Sequence, residues 1–185
     1  MNKQYITDNE KILSEVINEE EYERFLQTHP KGHFLQSVKW ARLKSNWMHK
    51  IIVVRDNEGN IKGSMSLLIR KLPFLNYTIM YSPRGPVCDI HDYDTIKELV
   101  EKAKVVASIY KSYVLKIDPD IEKDDEEFKR IVSELGFKSK NNTKNFEAIQ
   151  PQFVFRLDIK NKTEEEIIMG FHQKVRYNIR LAMRK

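Results

Sequence analysis

The chain has 185 residues, of which 41% are hydrophobic and 32% charged, and its formal net charge is +5. This length fits one domain with room for the start of a second, and the composition supports a packed core rather than disorder. The single cysteine, Cys88, excludes a disulfide framework and is interpreted as a buried thiol. The sequence has neither a secretory signal nor an apolar run of ~20 residues, which predicts a soluble, cytoplasmic protein without a transmembrane segment.

Apolar periodicity and turn residues predict an α/β fold with a sheet of mixed direction. Asn18 and the acidic residues after it begin a capped helix, and the turn residues between positions 55 and 61 join a β-hairpin. The predicted elements are a helix over 19–28, a short helix over 37–45 with Val38, Trp40, Ala41 and Leu43 available for packing, strands over 51–54, 61–69 and 77–81, a helix from Asp92 or Asp94 to Tyr110, a strand over 113–117, a helix over 126–135, a strand over 152–159 and helices over 163–171 and 174–185.

No pattern of residues identifies a nucleophile or a metal site. The sequence has no Ser-His-Asp set, no phosphate-binding P-loop and no glycine-rich dinucleotide motif, and its five histidines do not pair at metal-ligand spacing. The catalytic residues therefore stay unknown, and we expect neither a metal nor a cofactor. The acidic segment 118–127 is interpreted as a solvated turn that leads into a helix.

The segment Ser82-Pro-Arg-Gly-Pro86 follows a predicted strand directly. Its two prolines restrict the backbone around Arg84 and Gly85, and ligands of open α/β sheets bind beyond the carboxyl ends of strands. The pattern therefore allows a ligand-binding loop. It equally allows a stiff connector whose arginine pairs with a surface carboxylate, and the residues alone slightly favour the connector.

The segment from Trp40 to Trp47 places Lys44 one helical turn after the first tryptophan and just before the second. A lysine between two indoles can bind a phosphate while a ring packs a base or a sugar. Two core tryptophans with a lysine that extends to solvent are the simpler interpretation, which the pattern alone favours.

The last twelve residues carry five positive charges and no negative one, so the preceding chain has a net charge of zero. On a helix, Arg176, Arg180 and Arg184 form one cationic stripe, whose guanidinium groups suit phosphate oxygens. A second face should pack inward through Val175, Ile179, Ala182 and Met183. The alternative is a solvated helix whose basic side chains pair with acidic residues elsewhere in the protein.

Three ordered segments resemble the Fem-type (FemA, FemB, FemX) aminoacyltransferases, which build the interpeptide bridge of bacterial peptidoglycan. They are Phe34-Leu-Gln36 with Trp40-Ala-Arg-Leu-Lys44, then Tyr81 to Val87 with Asp89, and finally Gln150 to Asp158 with Lys174 to Ala182. Each segment is short, but their order is specific, and the resemblance extends from about Tyr22 to the end of the chain.

The resemblance implies a domain like that of Gcn5-related N-acetyltransferases, the first of a tandem pair, with aminoacyl-tRNA as co-substrate in place of acetyl-CoA. The implied acceptor is lipid II or UDP-MurNAc-pentapeptide, whose amine attacks the aminoacyl ester, with a peripheral contact to the membrane face through lipid II. Lys44 matches the family lysine that contacts the diphosphate of the precursor. Trp40, Trp47, Arg84, Gly85, Arg176 and Arg180 are the further candidates for substrate binding.

Family members exceed 300 residues, so residues 1–150 are expected to form the first domain. Residues 151–185 are expected to hold a last strand and the basic helix that leads into a second domain, and a chain of 185 residues is expected to be inactive by itself. Two alternatives stay open, an acetyl-CoA-dependent N-acetyltransferase and a non-enzymatic RNA-binding module. The sequence lacks the clustered glycines with which an N-acetyltransferase binds acetyl-CoA. An RNA-binding module would bind through the basic terminus.

Overall fold

The computed structural model describes residues 17–122, 124–139, 155 and 157–184. The chain divides into two compact units, Met1–Lys140 and Asn141–Lys185. In the first unit the elements are α1 (Glu19–Thr28), a 3-10 turn (Phe34–Gln36), α2 (Val38–Leu43), β1 (Met48–Arg55), β2 (Ile61–Lys71), β3 (Thr78–Ser82), α3 (Tyr93–Tyr110), β4 (Ser112–Ile117) and α4 (Glu126–Glu134). In the second unit they are α5 (Glu164–Met169) and α6 (Gln173–Ala182).

The four strands form one mixed sheet in the order β1-β2-β3-β4, which confirms the predicted fold class. Strand β2 is antiparallel to both of its neighbours, β1 and β3. Strands β3 and β4 are parallel, and α3 connects them. Turn chemistry sets the hairpin, because Asp56 accepts the N–H groups of Glu58 and Asn60 and Gly59 takes a positive φ of 87°. Because β3 and β4 are parallel, their carboxyl ends lie at the same edge of the sheet.

Helix α3 covers one face of the sheet and packs against the buried strand residues of the main core. Asp92 caps it by accepting the N–H of Thr95, and its predicted apolar stripe is buried through Ile96, Leu99, Val100, Ala103 and Val106. Cys88 is also buried, as predicted, and burial raises the pKa of its thiol to about 12. This thiol is therefore not a nucleophile at neutral pH.

Three expectations about packing and strands need correction. Leu43 is exposed, because α2 ends there and the chain turns towards β1. The predicted strand over 152–159 lies partly outside the described residues, and residues 155 and 157–159 form no strand. On α6, Val175, Ala182 and Met183 are exposed and no residue is buried, since the pattern identifies an apolar face but not an element that covers it.

His49 supplies a pH-dependent contribution to stability. Its Nε2 lies 2.8 Å from Ser66 Oγ, and burial lowers the pKa of the imidazole to about 4. The unfolded chain, with an ordinary histidine pKa, binds a proton more readily than the folded one. Stability from neutral His49 is therefore present above about pH 6.5 and is lost as the pH falls towards 4.

We expect the free energy of unfolding to fall between pH 7 and pH 5 by about 1–2 kcal/mol more in the natural chain than in His49→Gln. Urea unfolding at both pH values measures this difference. His172→Gln, at an exposed position, is the control and should keep the pH dependence of the natural chain. An unchanged pH dependence in His49→Gln would contradict the assignment.

Candidate functional site

The side chain of Gln36 fills a gap in the sheet. Strand β3 pairs with β2 from Leu68 onward, and the next contact is the bridge between Ser64 and Val87. Between these points the Oε1 of Gln36 accepts the N–H of Ser66 at 2.8 Å. Its Nε2 donates to the carbonyl of Pro83 at 2.5 Å. The buried amide thus replaces the missing strand contacts and holds the loop that follows β3.

Gly85 lies against the same amide. A Cβ atom at this position would come within 2.3 Å of Ser82 Oγ and 2.9 Å of Gln36 Nε2, so the loop requires a glycine. The Gly85–Pro86 peptide bond is cis, and both residues are buried. The rigidity that the two prolines predict is therefore reinforced by packing from the Gln36 side chain.

Asp118 holds the same loop from the end of β4. Its Oδ1 accepts the backbone N–H of Arg84 at 2.7 Å, and its Oδ2 accepts the Tyr81 hydroxyl at 2.9 Å. Burial raises the pKa of this carboxyl, and the two hydrogen bonds and the Arg84 charge partly oppose that shift. The interpretation of this segment as a solvated turn is therefore wrong for Asp118, which is partly buried.

The Arg84 side chain is half-buried, and its backbone has a positive φ of 57°. Across the described residues, no carboxylate lies within ion-pair distance of its guanidinium. No ion pair therefore supports the connector interpretation, although the Arg84 charge still acts on the nearby Asp118 carboxyl. Asp118 accepts the backbone N–H of Arg84, which fixes the residue while its guanidinium forms no ion pair among the described residues.

Lys44 and Trp40 form a second cationic position. The Nζ of Lys44 lies 4.6 Å from the centroid of the Trp40 ring, which packs edge-on against Phe34 at 5.7 Å. Phe34 is exposed, and its ring stacks on His33 at 4.9 Å. An ammonium on an indole face beside an exposed ring can bind an anion next to a planar or apolar group.

Trp47 does not form, with Trp40, the pair of indoles around the lysine that the phosphate-binding interpretation describes. Helix α2 ends at Leu43, and the N–H of Trp47 donates to the Lys44 carbonyl at 2.8 Å in the turn that follows. This turn carries the indole towards β2, where the Arg70 guanidinium lies 5.5 Å from its centroid. Among the described residues, Trp40 is the one ring within cation–π distance of Lys44.

The remaining candidates lie on α6, in the second unit. Arg176 donates to the carbonyl of Met169 at the end of α5 at 3.2 Å, and Arg180 is exposed. Arg184 lies beyond the end of α6 at Ala182, so two of the three arginines of the predicted stripe are helical. The ion pairs of the described residues involve no cation of this helix, which does not support the alternative of pairing with acids.

The arrangement favours binding of an anionic ligand over covalent catalysis. Lys44 and Arg84 present cations, and Phe34 and Trp40 present rings. The described part of the chain contains no group of three His, Cys, Asp or Glu side chains that could hold a metal ion. It also contains no helix long and apolar enough to cross a membrane.

The mixed sheet with its crossover helix is the α/β class of domain that the sequence predicts. The FemAB family model matches residues 17–185, and the chain belongs to this family. A lipid II:glycine glycyltransferase of Staphylococcus epidermidis is 37% identical over 174 residues, and one of Staphylococcus aureus is 33% identical. The alignments cover 91% of this chain and 41% of each relative, so the chain spans less than half of their length.

A solved structure supports the same assignment. The crystal structure of FemX superposes with a TM-score of 0.74 at 31% sequence identity, over 92% of this chain and 43% of FemX. The resemblance inferred from the ordered motifs is thereby confirmed. The roles of the individual candidate residues remain proposals.

Gln36→Leu is expected to lower the free energy of unfolding by about 2–4 kcal/mol, because the buried N–H of Ser66 and the carbonyl of Pro83 lose their partner. Urea unfolding measures the effect. The matched control is Gln27→Leu on the exposed face of α1, for which we expect a change below about 0.5 kcal/mol. Equal stabilities of the two variants would refute the central role of Gln36.

Proposed function

We propose that the protein to which this domain belongs transfers an amino acid, glycine in the first instance, to a peptidoglycan precursor. The observation that carries the proposal is the 37% identity over 174 residues with a lipid II:glycine glycyltransferase. The acceptor is then lipid II or its soluble counterpart UDP-MurNAc-pentapeptide, both of which contain phosphate groups.

We assign binding of the precursor phosphates to Lys44. Its ammonium lies on the Trp40 ring, so the flexible stem has already lost part of its freedom and less entropy is lost on binding. Arg84 offers a second, planar cation whose backbone is fixed by Asp118. Trp40 and Phe34 supply rings for the uridine or sugar part, while Trp47 supports Arg70 at the border of this surface.

We propose aminoacyl-tRNA as the donor, without a further cofactor. The acceptor amine attacks the carbonyl carbon of the aminoacyl ester, an amide bond forms, and the ester bond to the ribose oxygen breaks. The proton lost by the amine is balanced by the one gained by the leaving hydroxyl group. An activated ester and an amine need positioning and charge stabilisation more than a protein nucleophile, in keeping with the buried thiol of Cys88.

Arg176 and Arg180 are assigned to phosphate groups of the donor or the precursor. Bidentate guanidinium groups suit such oxygens. We further propose that these 185 residues bind precursor but do not complete transfer, since they span 41% of the length of the related transferases. The reaction is placed in the cytoplasm, where aminoacyl-tRNA is made.

Lys44→Ala is expected to raise the Kd for UDP-MurNAc-pentapeptide roughly 10–100-fold, because a hydrogen bond to a charged group is lost. Isothermal titration calorimetry measures the affinity. Lys39→Ala is the matched control, since Lys39 is an exposed lysine of the same helix, and its Kd should be unchanged. Undiminished binding by Lys44→Ala would exclude the assignment.

The 185-residue chain is expected to show no transfer of radiolabelled glycine from glycyl-tRNA to lipid II, although precursor should raise its melting temperature. Acetyl-CoA should leave the melting temperature unchanged, which separates this function from that of an N-acetyltransferase. Measurable transfer by this chain would overturn the proposal that it lacks part of the site. Stabilisation by acetyl-CoA alone would favour the alternative enzyme.

A further inference from the structure

A patch of exposed apolar side chains lies where the β2–β3 loop and the α3–β4 turn meet. Phe74 at the tip of the loop is fully exposed, with 106% of its reference surface accessible. We call this set the lipid patch; it consists of Phe74, Leu75, Tyr77, Ile109 and Tyr113, all of them exposed. Several exposed apolar side chains on two segments that lie side by side indicate an interaction site rather than chance exposure.

Backbone hydrogen bonds hold the two segments of the lipid patch beside each other. The N–H of Leu72 donates to the carbonyl of Tyr77 at 3.0 Å and closes the loop. The N–H of Thr78 donates to the carbonyl of Lys111, also at 3.0 Å, and ties the loop to the α3–β4 turn. Phe74 takes a positive φ of 64°, which is rare for a bulky residue and characteristic of functional loops.

The charged side chains of the two segments that form the lipid patch are all positive. The chain contains no Asp or Glu over 61–88 or over 102–117, the two segments that meet here. Lys71 and Lys111 are exposed, and no carboxylate of the described residues lies within ion-pair distance of either. An apolar tip with a cationic rim is complementary to an anionic lipid surface.

We propose that the lipid patch docks this domain onto a membrane surface that contains anionic lipids. Phe74 and Leu75 enter the boundary between headgroups and acyl chains, and Tyr77 and Tyr113 lie at headgroup level, where amphipathic rings are favoured. Lys71 and Lys111 contact the headgroups. This inference goes beyond the proposed reaction, because it stands on residues that the precursor site does not use.

The same features argue against two other occupants. In a symmetric contact between two copies of the chain, the cationic rims of Lys71 and Lys111 would face each other without acidic partners. Single-stranded RNA would stack on aromatic faces, but Leu75 and Ile109 supply aliphatic surface that does not stack. An acyl-chain boundary accepts both kinds of side chain.

An environment-sensitive fluorophore tests the contact directly. The 185-residue chain is labelled at Asn76→Cys, beside the tip of the lipid patch, while the buried Cys88 stays unlabelled. We expect a blue shift of the emission with vesicles of phosphatidylglycerol and phosphatidylcholine, and a weaker one with phosphatidylcholine alone. The label at Glu58→Cys, in the exposed β1–β2 turn, should show no shift.

Sedimentation with the same vesicles gives the energetic test. Phe74→Ser combined with Leu75→Ser should lower the partition coefficient roughly 10-fold or more, and Lys71→Glu should lower it roughly 5-fold or more. The matched control is Phe155→Ser, because Phe155 is as exposed as Phe74, at 109%, and it should partition like the natural chain.

Several results would overturn the proposal. One is a silent label at position 76 on protein that still sediments with vesicles, which would indicate binding through another surface such as α6. Others are a response of this label to tRNA instead of vesicles, or dimerisation through the lipid patch without lipid. The vesicles contain no precursor and the assay needs no transfer, so failure here leaves the proposed function standing and failure of that function leaves this inference standing.

Discussion

The amide of Gln36 is the contact on which the first unit depends. It accepts from β2 and donates to the loop after β3, while its own backbone carbonyl accepts the Tyr22 hydroxyl of α1 at 2.8 Å. One buried residue thus connects the first helix, the sheet and the loop. The next residue, Ser37, caps α2 by accepting the N–H of Trp40, so Gln36 lies beside the start of the helix that leads to Lys44. The loop that carries Arg84 and the start of the helix that leads to Lys44 therefore both lie next to one neutral side chain.

The loop after β3 shows how the fold can hold an arginine without neutralising it. Asp118 uses one carboxylate oxygen for the backbone N–H of Arg84 and the other for Tyr81. The left-handed backbone of Arg84 costs of order 1–3 kcal/mol, and the hydrogen bond from its N–H to Asp118 supports that conformation. The guanidinium itself forms no ion pair with Asp118. A direct ion pair would instead make an incoming phosphate compete with the carboxylate. This arrangement suits a binding site better than a structural salt bridge would.

The sequence predicts the elements of this fold well because local chemistry determines them. Asn18, Asp92 and the Asp56 turn act within a few residues, and the apolar stripe of α3 has one face of the sheet to cover. Gln36 and Asp118 escape such reasoning because their partners lie 30 to 47 residues away. One signal was available for Asp118, which follows a strand parallel to β3 and so had to lie beside the loop. The family resemblance, and not the residue pattern, raised Lys44 above a lysine that extends to solvent.

The order of features along the sheet relates the site to the lipid patch. Strand β3 begins beside the patch at Thr78 and ends at Ser82 before the Arg84 loop, a separation of roughly 13 Å at 3.3 Å per residue. Met48 pairs with Ile69, next to the Arg70 that lies over Trp47, so the chain leading back to Lys44 starts from the patch end. A membrane surface docked at the patch would therefore lie closer to Arg70 than to Arg84. Because β3 runs from the patch to the Arg84 loop, the loop that Gln36 and Asp118 hold lies about the length of that strand from the docked surface.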